Sequence, residues 1–445
     1  MEYKMKNELL RMVEKRQMGI HCGIPSFCSA NKYVIETALE QAERQDDFVV
    51  IEATSNQVNQ YGGYMGMKSI DFKNYVYKIA DQLHFDKKKV ILGGDHLGPL
   101  PWCDEPAAEA MEKAKVLVRQ CVLAGYQKVH LDTSMKLGDD DPNVRLSDEV
   151  IAERGVELYR VAIEAYNDLL KDDPDAVRPV FVVGSEVPIP GGSQAASGEM
   201  EVTRVEDFEN TILAYRKAFA RHGLKNAEKD IIAIVVQPGV EFGEDDIHQY
   251  DRYAARKLCA KLKQYPDIVF EGHSTDYQPY GKLREMVEDG IAIIKVGPAL
   301  TYAVREALFA LSMMEDELVP EEKRSNFRQV LEHEMLKNDK DWKKYYTGTE
   351  LEKHLMREYS FSDRSRYYFS KRPVEQAINT LFANLDEVGI PVFMLHQYMP
   401  LQYMHVRDNK VKCEAKELVK DAVRIIVENY NYAVKMNYMM ETVNM

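Results

Sequence analysis

The chain has 445 residues, 45% of them hydrophobic and 29% charged, with a formal net charge of −14. That balance is ordinary for a globular protein and argues against nucleic acid as the main partner, because phosphate backbones demand a basic surface. The length suits a barrel of about 300 residues plus an addition.

The opening segment, 1–17, is charged and helix-prone, with Leu9, Leu10 and Val13 on one side. It lacks the apolar core of a signal peptide, and no long apolar run predicts a membrane span. Six scattered cysteines without C-x-x-C spacing point to reduced thiols in a cytoplasmic protein.

Eight short apolar strands follow, ending at 20–22, 49–54, 90–96, 128–134, 180–186, 231–237, 268–273 and 291–297. Helical patterns separate them at 32–44, 71–83, 107–124, 148–170, 205–221, 253–264 and 301–318. Strand–helix alternation implies a parallel sheet, and eight units close into a TIM-like (β/α)8 barrel over 1–319. Runs such as Val180-Phe-Val-Val183 are apolar throughout, as in walls buried on both faces. A doubly wound open sheet is the rival, but no G-x-G-x-x-G follows any strand, and no phosphate loop of the G-x-x-x-x-G-K-[ST] type is present. Beyond Val319-Pro320 strands fade, and helical stretches at 321–336, 341–346, 374–385 and 416–432 predict a helical extension or lid over 320–445.

In a barrel the C-terminal strand ends converge, and nearly all of these strands end in polar residues. Gly93-Gly94-Asp95-His96 pairs an acid with an imidazole where the chain turns, so one group can bind metal while the other moves protons. Glu186 follows an apolar strand, where a carboxylate needs a cation or donors. His273 closes the seventh strand. His96, Glu186 and His273, with Gln237 or Glu271 nearby, form a nitrogen and oxygen set suited to Zn²⁺, Mn²⁺ or a related divalent ion such as Co²⁺, Ni²⁺ or Mg²⁺. His130 shares a face with Asp132 only if the register is unbroken. Asp132 and Ser134 are candidates for positioning substrate hydroxyls, and Glu52, Asn56, Gln57 and Asp276 for recognising a sugar. Lys295 and Gly297 lie where barrels hold phosphate, at a helix start after the last strand. Gly191, Gly192 and Ser274 add donors, and Arg364 and Arg366 match phosphate geometry from the extension.

Several long motifs resemble the tagatose-bisphosphate aldolase Z-subunit family (GatZ/KbaZ). They are Ile51-Glu-Ala-Thr-Ser-Asn-Gln-Val-Asn-Gln-Tyr-Gly-Gly63, the 93–99 segment, Glu186-Val-Pro-Ile-Pro-Gly-Gly192, Gln237-Pro-Gly-Val-Glu-Phe242, the 271–278 and 295–300 segments, and Ser362-Asp-Arg-Ser-Arg-Tyr-Tyr368. The resemblance covers almost the whole chain. It implies a barrel distantly related to class II, metal-dependent aldolases, and a role in galactitol, tagatose or N-acetylgalactosamine catabolism. By comparison with those aldolases it implies proton transfer by Asp95, metal ligation by His96 and a further carboxylate near Glu186. Where they carry another histidine ligand this chain has Gln237, and their His-Gly-Gly-Ser loop resembles Glu271-Gly272-His273-Ser274 with the histidine displaced. These departures speak against ordinary aldolase activity. Two functions are consistent with the family: a metal-dependent ketohexose-phosphate 4-epimerase, acting at C3–C4, or a non-catalytic subunit that stabilises a class II aldolase Y subunit. A homo-oligomer is compatible with both.

Overall fold

The computed structural model describes residues 6–185 and 201–435. Eight parallel strands form a closed barrel: β1 (Ile24–Cys28), β2 (Val49–Thr54), β3 (Val90–Leu97), β4 (Lys128–Leu131), β5 (Val180–Val183), β6 (Ile231–Val236), β9 (Val269–Gly272) and β10 (Ile291–Val296). A small antiparallel hairpin, β7 (Glu241–Phe242) with β8 (Ile247–His248), stands after β6. The outer helices are α2 (Lys32–Arg44), α3 (Ser69–Gln82), α4 (Ala107–Leu123), α5 (Asp148–Asp172), α6 (Val205–Arg221), α7 (Arg252–Leu262), α8 (Tyr280–Asp289) and α9 (Pro298–Leu318). The predicted barrel is therefore present, with its strands and helices near their expected bounds.

One strand differs from expectation. The first strand is not 20–22 but Ile24–Cys28, paired with β10 and β2. Pro25 lacks an N–H, which makes this stretch read as a strand breaker, yet it fits at the strand's first turn of pairing. The 20–22 segment instead follows the end of α1 (Glu8–Gln17), where Gly19 takes a positive φ.

Helix α1 closes the N-terminal end of the barrel. Leu9, Met12 and Val13 pack with Val50, Ile91, Val182, Ile232 and Ile293 from inside the strands. Asn7 caps the helix through Leu9 N–H and donates to the carbonyls of Gln127 and Arg178. The capping side chain thus both starts the helix and seats it on the barrel floor.

Beyond the barrel come α10 (Phe327–Lys337), α11 (Glu350–Tyr359), α12 (Arg372–Val388), α13 (Val392–Tyr398), α14 (Pro400–Arg407) and α15 (Ala415–Val434). The expected helix at 321–336 is broken by Asn326, whose φ is +50°, and 341–346 is turn rather than helix. This region shares one apolar core with the outer helices, through Phe327, Leu331, Leu381, Val419 and Tyr430. Helix α15 packs on α2, α8 and α9. Among the described residues no helix is long and apolar enough to cross a membrane.

Candidate active site

The neighbouring strand ends stand level in the register: Thr54 pairs with Asp95, Cys28 with Glu52, and Val236 with Gly272. Between β3 and β4 the register shifts between Gly94 and Leu97, and His96 adopts a φ of +48°. That conformation is rare for a residue with a side chain and is held only where its surroundings fix it. Here it lets Asp95 and His96, adjacent in sequence, both join one buried cluster. The flanking glycines are dictated by close approach, because a Cβ on Gly93 would overlap the Glu52 carboxylate and one on Gly98 the Asp132 carbonyl.

His96, His130 and His273 stand with ring centroids 5.0 to 5.1 Å apart. With Asp95 they offer four ligand atoms within 4.8 Å of one another. Each imidazole spends one nitrogen on a carboxylate. His96 Nδ1 donates to Asp132 Oδ2 at 2.8 Å, and His273 Nε2 to Glu271 Oε1 at 2.9 Å. His130 Nδ1 lies 2.9 Å from Asp95 Oδ1 and 3.2 Å from the His96 amide. The shorter, charged contact puts the His130 proton on Nδ1 and leaves a lone pair on Nε2. That Nε2 is buried and has no hydrogen-bond partner. Carboxylate-oriented imidazoles with free second nitrogens are the usual surroundings of a bound metal ion.

Beneath the imidazoles, Lys128 Nζ contacts Glu52 Oε1 at 2.7 Å and Glu271 Oε2 at 2.8 Å, all three fully buried. Lys295 Nζ forms an ion pair with Asp95. Burial opposes the charge on Asp95, but His96 and Lys295 outweigh it and hold the carboxyl well below the usual range. Asp132 and Glu271 are likewise lowered against the cost of burial, by His96 and Lys128 respectively. Burial and then the Lys295 ammonium push His273 down to about 3, so its ring is neutral, the form a metal requires. Four carboxylates, of Asp95, Asp132, Glu52 and Glu271, and two ammonium groups, of Lys128 and Lys295, stand among the imidazoles of the cluster. A divalent cation fits this donor set.

Above the cluster lies a cavity of about 410 Å³, with Asp95, His96, His273 and Lys295 at its base. Asn56, Gln57, Ser274, Asp276 and Arg366 line it, as do Cys28, Thr54 and Tyr64, which sequence reasoning did not single out as contacts. The extension contributes Tyr367, Phe369 and Asn379 to the wall.

Several expected contacts are absent from that lining. Glu52 and Glu271 do not line the cavity, and both carboxylates hold Lys128. Asp132 and Ser134 also stand back: Ser134 Oγ donates to Asp132 Oδ1 at 2.7 Å, and Asp132 orients His96. Gln237 folds into its own turn, its Oε1 accepting the Gly239 and Val240 amides. Gly297 does line the cavity, but its amide and that of Ala299 already donate to Asp276 Oδ1, so a protein carboxylate caps the helix start. Arg364 faces away, stacked on Tyr345 and donating to the Asp341 carbonyl. Glu186, Gly191 and Gly192 lie outside the described residues. His130, which residue patterns left open, joins His96, His273 and Asp95 in the cluster. Its signal is the alternation of Lys128 and His130 on β4 with Asp132 just beyond the strand.

The profile of the family described as D-tagatose-1,6-bisphosphate aldolase subunit GatZ/KbaZ-like matches residues 9–435. The chain belongs to this family. It is similar to the D-tagatose-1,6-bisphosphate aldolase subunit GatZ of Klebsiella pneumoniae, 43% identical over 421 residues, covering 95% of this chain and 98% of that protein. The Escherichia coli protein of the same name is 42% identical with the same coverage. Among solved structures, one described as a probable tagatose 6 phosphate kinase from Sinorhizobium meliloti is 42% identical, with a TM-score of 0.84 over 92% of this chain and 100% of that one.

Proposed function

We propose that this GatZ/KbaZ-like protein is a metal-dependent sugar-phosphate enzyme that interconverts fructose 6-phosphate and tagatose 6-phosphate by inverting C4. The observation that carries the reading is the meeting of three imidazoles and an ionised Asp95 at the base of a cavity large enough for a hexose phosphate. A divalent ion held by His96, His130 and His273 would supply Lewis acidity to the ketose carbonyl. Asp95 takes the proton of the C4 hydroxyl. The C3–C4 bond then breaks, its electron pair passing toward C2 to give an enediolate of C1–C3, while C4 becomes the aldehyde of a C4–C6 fragment. That aldehyde turns its other face, C3 re-adds, and Asp95 returns the proton to the C4 oxygen. Arg366 forms no ion pair with a carboxylate among the described residues, and with Ser274 it is suited to hold the 6-phosphate of the rotating fragment. Asn56, Gln57 and Asp276 are suited to the sugar hydroxyls, in a cytoplasmic catabolic setting.

A second reading is favoured by the relatives' names, which describe an aldolase subunit and fit this role better than an epimerase. In that reading the chain is a Z subunit that stabilises a class II tagatose-1,6-bisphosphate aldolase Y subunit. The two separate in one experiment. Purified protein is incubated alone with fructose 6-phosphate, with and without chelator, and then mixed with a Y-type aldolase. Tagatose 6-phosphate formed alone and lost on chelation supports the enzyme. No turnover alone, with a longer-lived aldolase on mixing, supports the subunit.

A further inference from the structure

Lys128 is buried completely in the barrel wall, two residues before His130 on β4, between the carboxylates of Glu52 on β2 and Glu271 on β9. A buried ion triad is an expensive way to fill a barrel. Desolvating the charges commonly costs more than apolar packing of the same volume, so such groups give little stability of their own. The layer below, with Val50, Ile91, Val182 and Ile293, is filled by aliphatic side chains in the ordinary way. What sets Lys128 apart is where its partner leads. Glu271 offers Oε2 to Lys128 and Oε1 to the Nε2 proton of His273. One carboxylate therefore spans the ammonium and the imidazole.

Resting on the metal-site reading above, we propose that Lys128 is a positioning residue for the metal centre. Its ammonium anchors one oxygen of Glu271 so that the other accepts from His273 Nε2, which fixes the ring's tautomer and leaves Nδ1 for the ion. Glu52 supplies the second countercharge, and Gly93 is the neighbour that leaves room for it. Without the anchor, Glu271 is free to turn, and the imidazole loses its preset orientation. Loss of an outer partner of this kind weakens metal binding by roughly 10- to 100-fold.

The test is the affinity of the metal-stripped full chain for Zn²⁺, measured by competition with a chromophoric chelator, beside its thermal melting. Lys128→Met alone leaves two uncompensated carboxylates and serves only as a control for folding. The informative variant is Lys128→Met with Glu52→Gln, which removes one charge of each sign and leaves Glu271, His273 and every ligand in place. The expected result is a folded protein whose Zn²⁺ dissociation constant rises about 10- to 100-fold. A folded double variant that binds Zn²⁺ as tightly as the wild type overturns the proposal, and so does a double variant that fails to fold, since that outcome makes Lys128 structural. If the wild type itself binds no Zn²⁺, the metal-site reading has failed instead, which the same titration distinguishes.

Discussion

Among the described residues, buried histidine–aspartate pairs stand in two regions, the barrel and the extension, and their surroundings differ. In the barrel, His96 donates to Asp132 at 2.8 Å; in the extension, His405 lies 2.7 Å from Asp421. Both pairs are buried and nearly equal in length. Around His405 and Asp421 the neighbours are Gln402, which donates to Asp421 at 3.1 Å, and Arg424, which pairs with the same carboxylate. Those contacts join α14 to α15, and none of these residues lines the cavity. Around His96 stand two further imidazoles, an unpartnered nitrogen on His130, and an open cavity. The lesson is that a buried His–Asp pair marks a site through what its other nitrogen faces, not through the pair itself.

The comparison breaks most visibly at the proton-transfer group. Asp95→Asn is expected to lower turnover of fructose 6-phosphate about 10³-fold with the fold intact, read by coupled assay and circular dichroism. His405→Ala should leave that turnover near wild type.

Acidity sharpens the contrast next. Burial raises Glu241, beside the cavity residue Ser274, to about 7. A carboxyl whose folded value exceeds its ordinary one contributes stability that is complete below about 4.5 and lost as pH rises through about 7. Glu241 should therefore contribute up to about 3 kcal/mol to the fall in stability between pH 4.5 and 7.5, read by chemical denaturation. Glu241→Gln should remove that part of the fall, while the part from Asp276, raised by burial to about 6, remains.

A smaller effect is expected at the orienting carboxylate. Asp132→Asn should weaken Zn²⁺ binding about 10- to 100-fold, measured by chelator competition, whereas Asp421→Asn should leave it unchanged. Smallest is the cost in the extension: His405→Ala should destabilise by about 1–2 kcal/mol, seen as a lower melting temperature with Zn²⁺ affinity preserved.

The strand ends were legible because continuous apolar runs stop abruptly at polar residues, and Asp95, His96 and His273 follow from that pattern. Other features depend on geometry that residue types do not encode. Pro25 disguised the first strand. The register shift that brings Asp95 and His96 to one side is a property of β3 against β4, and the place of His130 hung on the same register. Gln237 and Ser134 carry the right atoms for a sugar but satisfy neighbours in their own turns. Arg364 and Arg366, two residues apart on a tight turn, diverge, so only one reaches the cavity. The helix start at Gly297 is a phosphate position by sequence, but its amide is taken by Asp276 from a different loop.

Anomalous diffraction from crystals grown with Zn²⁺ tests the metal centre most directly. A peak is expected about 2.0–2.1 Å from one nitrogen each of His96, His130 and His273. A fully occupied peak elsewhere, or none between these three rings at saturating Zn²⁺, would contradict it.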